Sequence, residues 1–348
     1  MNVPAPPSAA AALFLGPAAA GAGLTWLALR YARRRGLLDE PGERRSHSVA
    51  TPRGGGISIT LVVLATIFAL GWAHPQLRLV LQAGAVGLVL VATVGWLDDH
   101  RPLSARTRLL VHALSAALLG GALLVDGHGL LVAAIAFVAV LVLVNVWNFM
   151  DGINGLAASQ AAIAAAGYAL LAGAGSPSGA LGLALALAGA CCGFLPFNFP
   201  NARIFLGDVG SGSLGLALAL LATLVMVEPR GRPDPSAWPL LVLPLAAFLV
   251  DASLTLGRRI LRREQWWAPH VQHAYQVWSR TLGSHAPVTF AYAGWSLLAT
   301  TLMAGMILME GTFIIAAAAT LGWCLVSAAG WLLLQCTAGS GKGRIQRT

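Results

Sequence analysis

Asn148-Phe149-Met150-Asp151-Gly152-Ile153-Asn154-Gly155-Leu156 interrupts two long uncharged runs, residues 130–146 before it and 157–174 after it. An Asp, two Asn and two Gly crowd into eight positions between them. A carboxylate at such a place is costly unless it meets water, a metal or a partner. Glycines there break regular structure and let a ligand approach the backbone. A polar turn between two membrane helices would explain the stretch alone. Three other turns on the same predicted side carry similar chemistry, and that argues for a site.

The apolar runs on either side decide the class. Hydrophobic residues make up 57 % of the 348-residue chain, charged residues 10 %, and the mean hydropathy is +0.74. A soluble domain carries roughly 25 % charge, so the composition indicates an integral membrane protein. Each crossing needs about 20 apolar residues. On that ruler the chain reads as eleven spans, near 9–30, 54–73, 77–97, 107–125, 129–147, 155–173, 179–196, 211–228, 237–257, 288–308 and 312–335. The expected fold is an all-α, polytopic helical bundle forming one domain over 1–348, with a basic tail from about 336. Nothing alternates as a barrel strand would.

The basic residues orient it. Of 22 Lys and Arg, only Arg78, Arg230 and Arg232 fall on one side, and the other nineteen fall opposite. By the positive-inside rule the crowded side is cytoplasmic, with the amino terminus outside and the carboxyl terminus inside. The net charge of +9 is thus a topology signal. A nucleic-acid role would need a clustered basic face and is not expected. The first apolar run has its arginines after it rather than before, the reverse of a secretory signal, so it reads as a retained span. Cys191, Cys192, Cys324 and Cys336 have no metal-ligand spacing and read as packing residues.

Four further cytoplasmic loops carry candidate chemistry. The first holds Arg44, Arg45, Ser46, His47, Thr51 and Arg53 before Gly54, Gly55 and Gly56, a helix entrance where backbone N–H groups suit an anion. The second holds Asp98 and Asp99, adjacent carboxylates near Arg101, Arg106 and Arg108. Two like charges in contact repel unless a cation is shared, and Mg²⁺ takes one or two carboxylates plus phosphate oxygens. A solvated charge patch is the competing reading. The loop at 197–213 sets Asp208 between Gly207 and Gly210, ahead of Ser211, again at a helix amino terminus. The last loop follows Arg258, Arg259, Arg262 and Arg263, a basic stripe expected to face anionic lipid. It carries His270 and His273, which would share a face if helical. Asp251 lies inside the ninth span and reads equally as functional or as paired with a loop arginine. Hard carboxylates imply a hard metal, and Mg²⁺ implies phosphates.

The elements RSHSVATPRGGG, LDDHRPL, NFMDGINGLA, FLGDVGS and PHVQHAYQ, in this order from about Arg44 to Tyr275, resemble those of the polyprenyl-phosphate N-acetylhexosamine-1-phosphate transferases. Within that family the pattern looks closest to the O-antigen-initiating branch. The resemblance implies a Mg²⁺-dependent reaction (Mn²⁺ as substitute) at a bacterial inner membrane. Undecaprenyl phosphate would attack a UDP-N-acetyl sugar, releasing UMP. By motif position it implies Asp208 and Asp99 as metal ligands and Asp98, Asp99 and Asp151 as catalytic groups. Substrate contacts would come from Arg45, His47, Thr51, Arg53, Asn148, Asn154, Gly207, Ser211, His270 and His273. A homodimer is a further expectation carried from relatives.

The sequence departs from that pattern in three places. Asn154 stands where many relatives have a second Asp, the only lysine is Lys342 in the tail, and the last loop has two histidines rather than three. The competing readings are the lipid I-forming phospho-MurNAc-pentapeptide transferase and, in a different class, a membrane transporter. Transporter sites lie near the midplane between related halves, and no internal repeat is visible here.

Overall fold

The computed structural model describes residues 7–39, 50–173, 178–228, 235–265, 267–268, 270–309 and 311–345. Arg45 and His47 therefore lie outside the described residues, as do Arg230 and Arg232. All eleven apolar runs are helical, because a backbone in hydrocarbon must satisfy its own hydrogen bonds. The helices are α1 (Pro7–Arg35), α2 (Ile57–Ala73), α3 (Arg78–His100), α4 (Ala105–Val125), α5 (Leu130–Phe149), α6 (Leu156–Leu171), α7 (Gly179–Asn198), α8 (Asp208–Val227), α9 (Ala246–Leu261), α10 (Ala274–Leu282), α11 (Ala286–Leu308) and α12 (Phe313–Ile345).

Among the described residues, nine helical stretches are long and apolar enough to cross a membrane. The other two, α2 and α6, have 17 and 16 residues. At 1.5 Å per residue they reach about 25 Å, slightly under a typical hydrocarbon core. Two sequence-drawn boundaries move. The ninth span opens as a 3₁₀ helix, Pro235–Leu245, because Pro239 and Pro244 cannot donate to an α-helical ladder. The last helix runs on to Ile345, so much of the basic tail is helical. The one sheet among the described residues is a two-residue pairing of β1 (Leu38–Asp39) with β2 (Thr51–Pro52), antiparallel, Asp39 opposite Thr51.

The centre of the bundle is α8. It is apolar on every side and buried along its length, as expected of a helix with no exposed face. Helices α2, α3, α5, α6 and α7 all contact it. Small residues set these approaches, since lipid gives no hydrophobic drive for helices to associate. Gly56 at the head of α2 lies directly on Gly210 of α8, and Gly215 lies on the Leu143 carbonyl of α5. On the flank, Gly189 and Gly193 of α7 let α1 come close enough for its Phe14 and Ala18 carbonyls to touch.

Candidate active site

At one end of the bundle α3 and α5 finish, α2, α4 and α8 begin, and the chemistry-bearing loops meet. Arg53 follows β2 directly. Its guanidinium lies 3.2 Å from the Asp99 carboxylate and 3.5 Å from that of Asp39, and it also donates to the Asp98 and Asp99 carbonyls. It thereby ties the first loop to the end of α3. Asp99 is turned inward. Its Oδ1 accepts the Asp208 N–H at 3.2 Å and its Oδ2 accepts that of Val209 at 3.3 Å, so it caps α8 from a neighbouring helix.

This arrangement explains two glycines. Gly207 has φ +76°, and a Cβ there would stand 2.7 Å from Asp99 Oδ2. At Gly95, one turn back on α3, a Cβ would stand 2.5 Å from the Asp208 carbonyl oxygen.

Asp98 faces the other way. Its Oδ1 accepts the Leu103 N–H at 2.5 Å and its Oδ2 accepts from Arg108 Nη1 at 2.9 Å. Its carboxylate neighbours that of Asp208. Arg108 Nη1 also reaches Asp208 Oδ2 at 3.6 Å, bridging the two. In the sequence Arg108 reads only as a neutralising charge, whereas the fold makes it a member of the site. Its ten-residue spacing from Asp98 across a turn gives no periodic signal.

From the opening stretch, Asn148 donates its amide to Asp208 Oδ1 at 3.0 Å and to Ser211 Oγ at 3.3 Å. Ser211 is fully buried and holds Asn148 rather than facing solvent. Asp151 follows in the turn. Burial, then the charge of Asp99, pushes its carboxyl up to about 7, and it has no hydrogen-bond or ion-pair partner among the described residues. Asn154 stands apart: its amide donates to the Pro200 carbonyl at 2.9 Å, and its own carbonyl accepts from Thr289 at 2.8 Å. Thr51 is buried in the short sheet.

Four sequence-based expectations are corrected. The glycine run is not an open anion cradle, because Gly55 and Gly56 give their N–H groups to the Phe205 and Leu206 carbonyls. The head of α8 is likewise engaged, by Asp99. His270 and His273 are not on a helix, since α10 starts at Ala274; their rings nevertheless lie 4.9 Å apart. Burial, then His273, holds His270 down at about 4, so it is a neutral imidazole near pH 7. The basic stripe is partly internal: Arg259 is buried and pairs with Glu264 at 2.7 Å, and Arg258 donates to Gln335 and to the Gln272 carbonyl. Among the described residues Asp251 pairs with no arginine. It receives the head of α10.

No three His, Cys, Asp or Glu among the described residues form a ready-made metal cluster. The donor set still fits Mg²⁺, which binds through one or two carboxylates and completes its shell with water and phosphate. Asp98 and Asp208 supply two adjacent carboxylates, and Asp151 supplies an unpartnered one nearby in the chain's fold. An apolar cleft of about 710 Å³ between α1, α2 and α3 ends on the same cluster, walled by Leu24, Leu27, Leu61 and Trp96 and closed by Arg53 and Asp99.

A family model described as glycosyl transferase family 4 matches residues 81–226, which hold the Asp98–Asp99 pair, the Asn148–Asp151 turn and Asp208. A phospho-N-acetylmuramoyl-pentapeptide-transferase of Lactiplantibacillus plantarum is 32 % identical, over 58 % of this chain and 70 % of its own. The chain belongs to glycosyl transferase family 4. Other relatives of this family-4 protein carry polyprenyl-phosphate names. A probable undecaprenyl-phosphate N-acetylglucosaminyl 1-phosphate transferase of Bacillus subtilis is 28 % identical over 72 % of each chain. An undecaprenyl-phosphate alpha-N-acetylglucosaminyl 1-phosphate transferase of Thermotoga maritima is 29 % identical over 73 % of this chain and 76 % of its own. The family-4 chain is thus a multi-pass membrane enzyme of the polyprenyl-phosphate hexosamine-1-phosphate transferase family.

Proposed function

We propose that this enzyme transfers an N-acetylhexosamine 1-phosphate from a UDP-sugar to undecaprenyl phosphate at the cytoplasmic face of a bacterial inner membrane. The product would be the first lipid-linked intermediate of O-antigen or another envelope polysaccharide. One observation carries the reading. Asp98 and Asp99, Asn148 and Asp151, and Asp208, from three separate loops, assemble at the basic end of the bundle. The apolar cleft ending on Arg53 supports a lipid-borne acceptor, since it sets an isoprenoid-compatible wall beside a guanidinium.

In the reaction an acceptor phosphate oxygen forms a bond to the β-phosphorus of the donor. The bond from that phosphorus to the α–β bridging oxygen breaks, and UMP leaves with the electron pair. Phosphoryl transfer rests on positioning and neutralised charge. Arg108 and Arg53 supply fixed positive charge, and Asn148 holds the Asp208 carboxylate in place. Mg²⁺, held by Asp208 with Asp98 and by donor oxygens, would supply the remaining neutralisation. Asp98 is preferred to Asp99 there because its carboxylate shares Arg108 with that of Asp208, whereas the Asp99 carboxylate is turned inward onto the first amides of α8. Asp151 is the free carboxylate able to accept a proton or orient the acceptor.

The lipid I-forming reaction is a second reading, favoured by the Lactiplantibacillus relative. The deciding experiment measures UMP release by purified protein with undecaprenyl phosphate and a panel of UDP-N-acetyl sugars, including UDP-MurNAc-pentapeptide, with and without Mg²⁺. UMP formed only with lipid phosphate and metal supports the reading, and the preferred donor names the branch. No release and no UMP exchange into any donor would overturn it in favour of a transporter.

A further inference from the structure

Asp251 is a carboxylate inside the membrane-spanning part of α9, 2 % exposed, and nothing in the site just described uses it. It collects five donors from four helices. Its Oδ1 accepts from the Ala274 N–H at 2.9 Å, Trp331 Nε1 at 3.1 Å and Thr255 Oγ1 at 3.1 Å. Its Oδ2 accepts from the Tyr292 hydroxyl at 2.8 Å and the Tyr275 N–H at 3.2 Å. Burying a charge costs several kcal/mol unless its lone pairs are filled, and here they are. Two of the donors are the first backbone amides of α10, which have no partner within their own helix.

What α10 carries gives this anchor a consequence at the site. Tyr275, whose amide is held by Asp251, is fully buried and donates its hydroxyl to the Phe149 carbonyl at 2.9 Å. That carbonyl closes α5, between Asn148 and the Asp151 turn. The same hydroxyl occupies the space where a side chain at Gly152 would begin, so only glycine fits there. The His273 ring, at the residue capping α10, lies 6.2 Å from that of Phe149 and 3.6 Å (Nδ1) from Asp251 Oδ1. One buried carboxylate thus sets the head of α10, and Tyr275 registers it against the turn that holds Asn148 and Asp151.

We propose that Asp251 is a positioning residue that, through Tyr275, fixes the His270–His273 loop against the Asn148–Gly152 turn and so shapes the donor side of the site. The word donor rests on the reaction proposed above; the mechanical link does not. The alternative is that Asp251 only staples α9 to α11 and α12 through Tyr292 and Trp331. Those contacts never reach the site.

The test uses the full-length protein in detergent or nanodiscs. In Asp251→Asn, hydrogen exchange should rise at Ala274 and Tyr275 and also in residues 149–153. The donor KM should rise by about tenfold or more, with the acceptor KM within about twofold. Tyr275→Phe should give the same pattern, and the double variant should add little to either single one. Tyr292→Phe, which removes one donor to Asp251 but leaves the Ala274 and Tyr275 amides on its carboxylate, should keep the wild-type KM values. If Asp251→Asn does not fold, Tyr275→Phe and Gly152→Ala carry the test. The proposal is overturned if exchange rises at 274–275 alone, if both KM values move together, or if Tyr292→Phe matches Asp251→Asn. Coupled exchange in a protein that never releases UMP would uphold the link and sink the proposed reaction instead.

Discussion

Asp99 and Asp208 are joined backbone to side chain: the carboxylate of one accepts the amide that opens the helix of the other, at 3.2 Å. The two aspartates therefore do different work, although the sequence presents both simply as acidic loop residues. Asp99 stabilises the head of the central helix, where an anion is worth ~0.3–2 kcal/mol. Asp208 points its carboxylate out toward Asp98, Arg108 and Asn148. Asp208→Asn should abolish turnover while leaving the melting temperature near that of the wild type. Asp99→Asn should lower both. Equal melting temperatures, measured by thermal unfolding in detergent, would refute the division of roles.

Metal removal addresses Asp208 and Asp98 directly. Dialysis against EDTA should eliminate UMP release, and Mg²⁺ should restore it. In Asp98→Asn the Mg²⁺ concentration for half-maximal rate should rise by roughly an order of magnitude, since one of two adjacent hard ligands becomes neutral. Full activity in EDTA would remove the metal from the mechanism.

The sequence reveals helices well and contacts poorly, for physical reasons. A bilayer demands a minimum apolar length, so each apolar run could be read as a helix from its length, and nine of the eleven reach spanning length among the described residues. Pro239 and Pro244 were present to announce the 3₁₀ opening of the ninth span, but hydropathy does not weigh them. The loop carboxylates were visible because charge beside apolar runs is costly. Their partners were not. Gly55 and Gly56 look like a phosphate cradle until Phe205 and Leu206, some 150 residues away, take their amides. In the sequence Asp251 reads equally as a functional group or as the partner of a loop arginine, and only the fold brings the α10 amides to it.

Asp151 should reveal itself through pH. Its carboxyl is raised to about 7 by burial and by Asp99, whereas an unfolded Asp titrates near 3.9. Between those values the folded protein holds the extra proton, so stability falls as pH rises through that window and is level above it. Asp151→Asn removes the penalty. It should raise the melting temperature at pH 8 by a few degrees, on the order of what ~1 kcal/mol gives, and change little at pH 4. It should also remove turnover. A wild-type rate that rises through about pH 7, with no such rise left in the variant's residual rate, would fit an ionised Asp151 as the working form. A gain over the wild type no larger at pH 8 than at pH 4 would contradict the burial of its charge.

Arg108 competes for the same charge that a cation would neutralise. Its guanidinium sits 2.9 Å from Asp98 and 3.6 Å from Asp208, holding two carboxylates together that would otherwise repel. Arg108→Gln leaves that pair with only a cation to share. Half-maximal activation should then need less Mg²⁺, by a factor of about 3 to 10, because the site has gained a unit of negative charge. The maximal rate should still fall, since a fixed positive charge beside the transferring phosphoryl group has been lost. Lower Mg²⁺ demand together with a lower kcat is the signature of a residue that both occupies and assists the site. A rise in Mg²⁺ demand would mean instead that Arg108 orients the carboxylates for the metal, and a kcat unchanged from wild type would remove it from the reaction altogether.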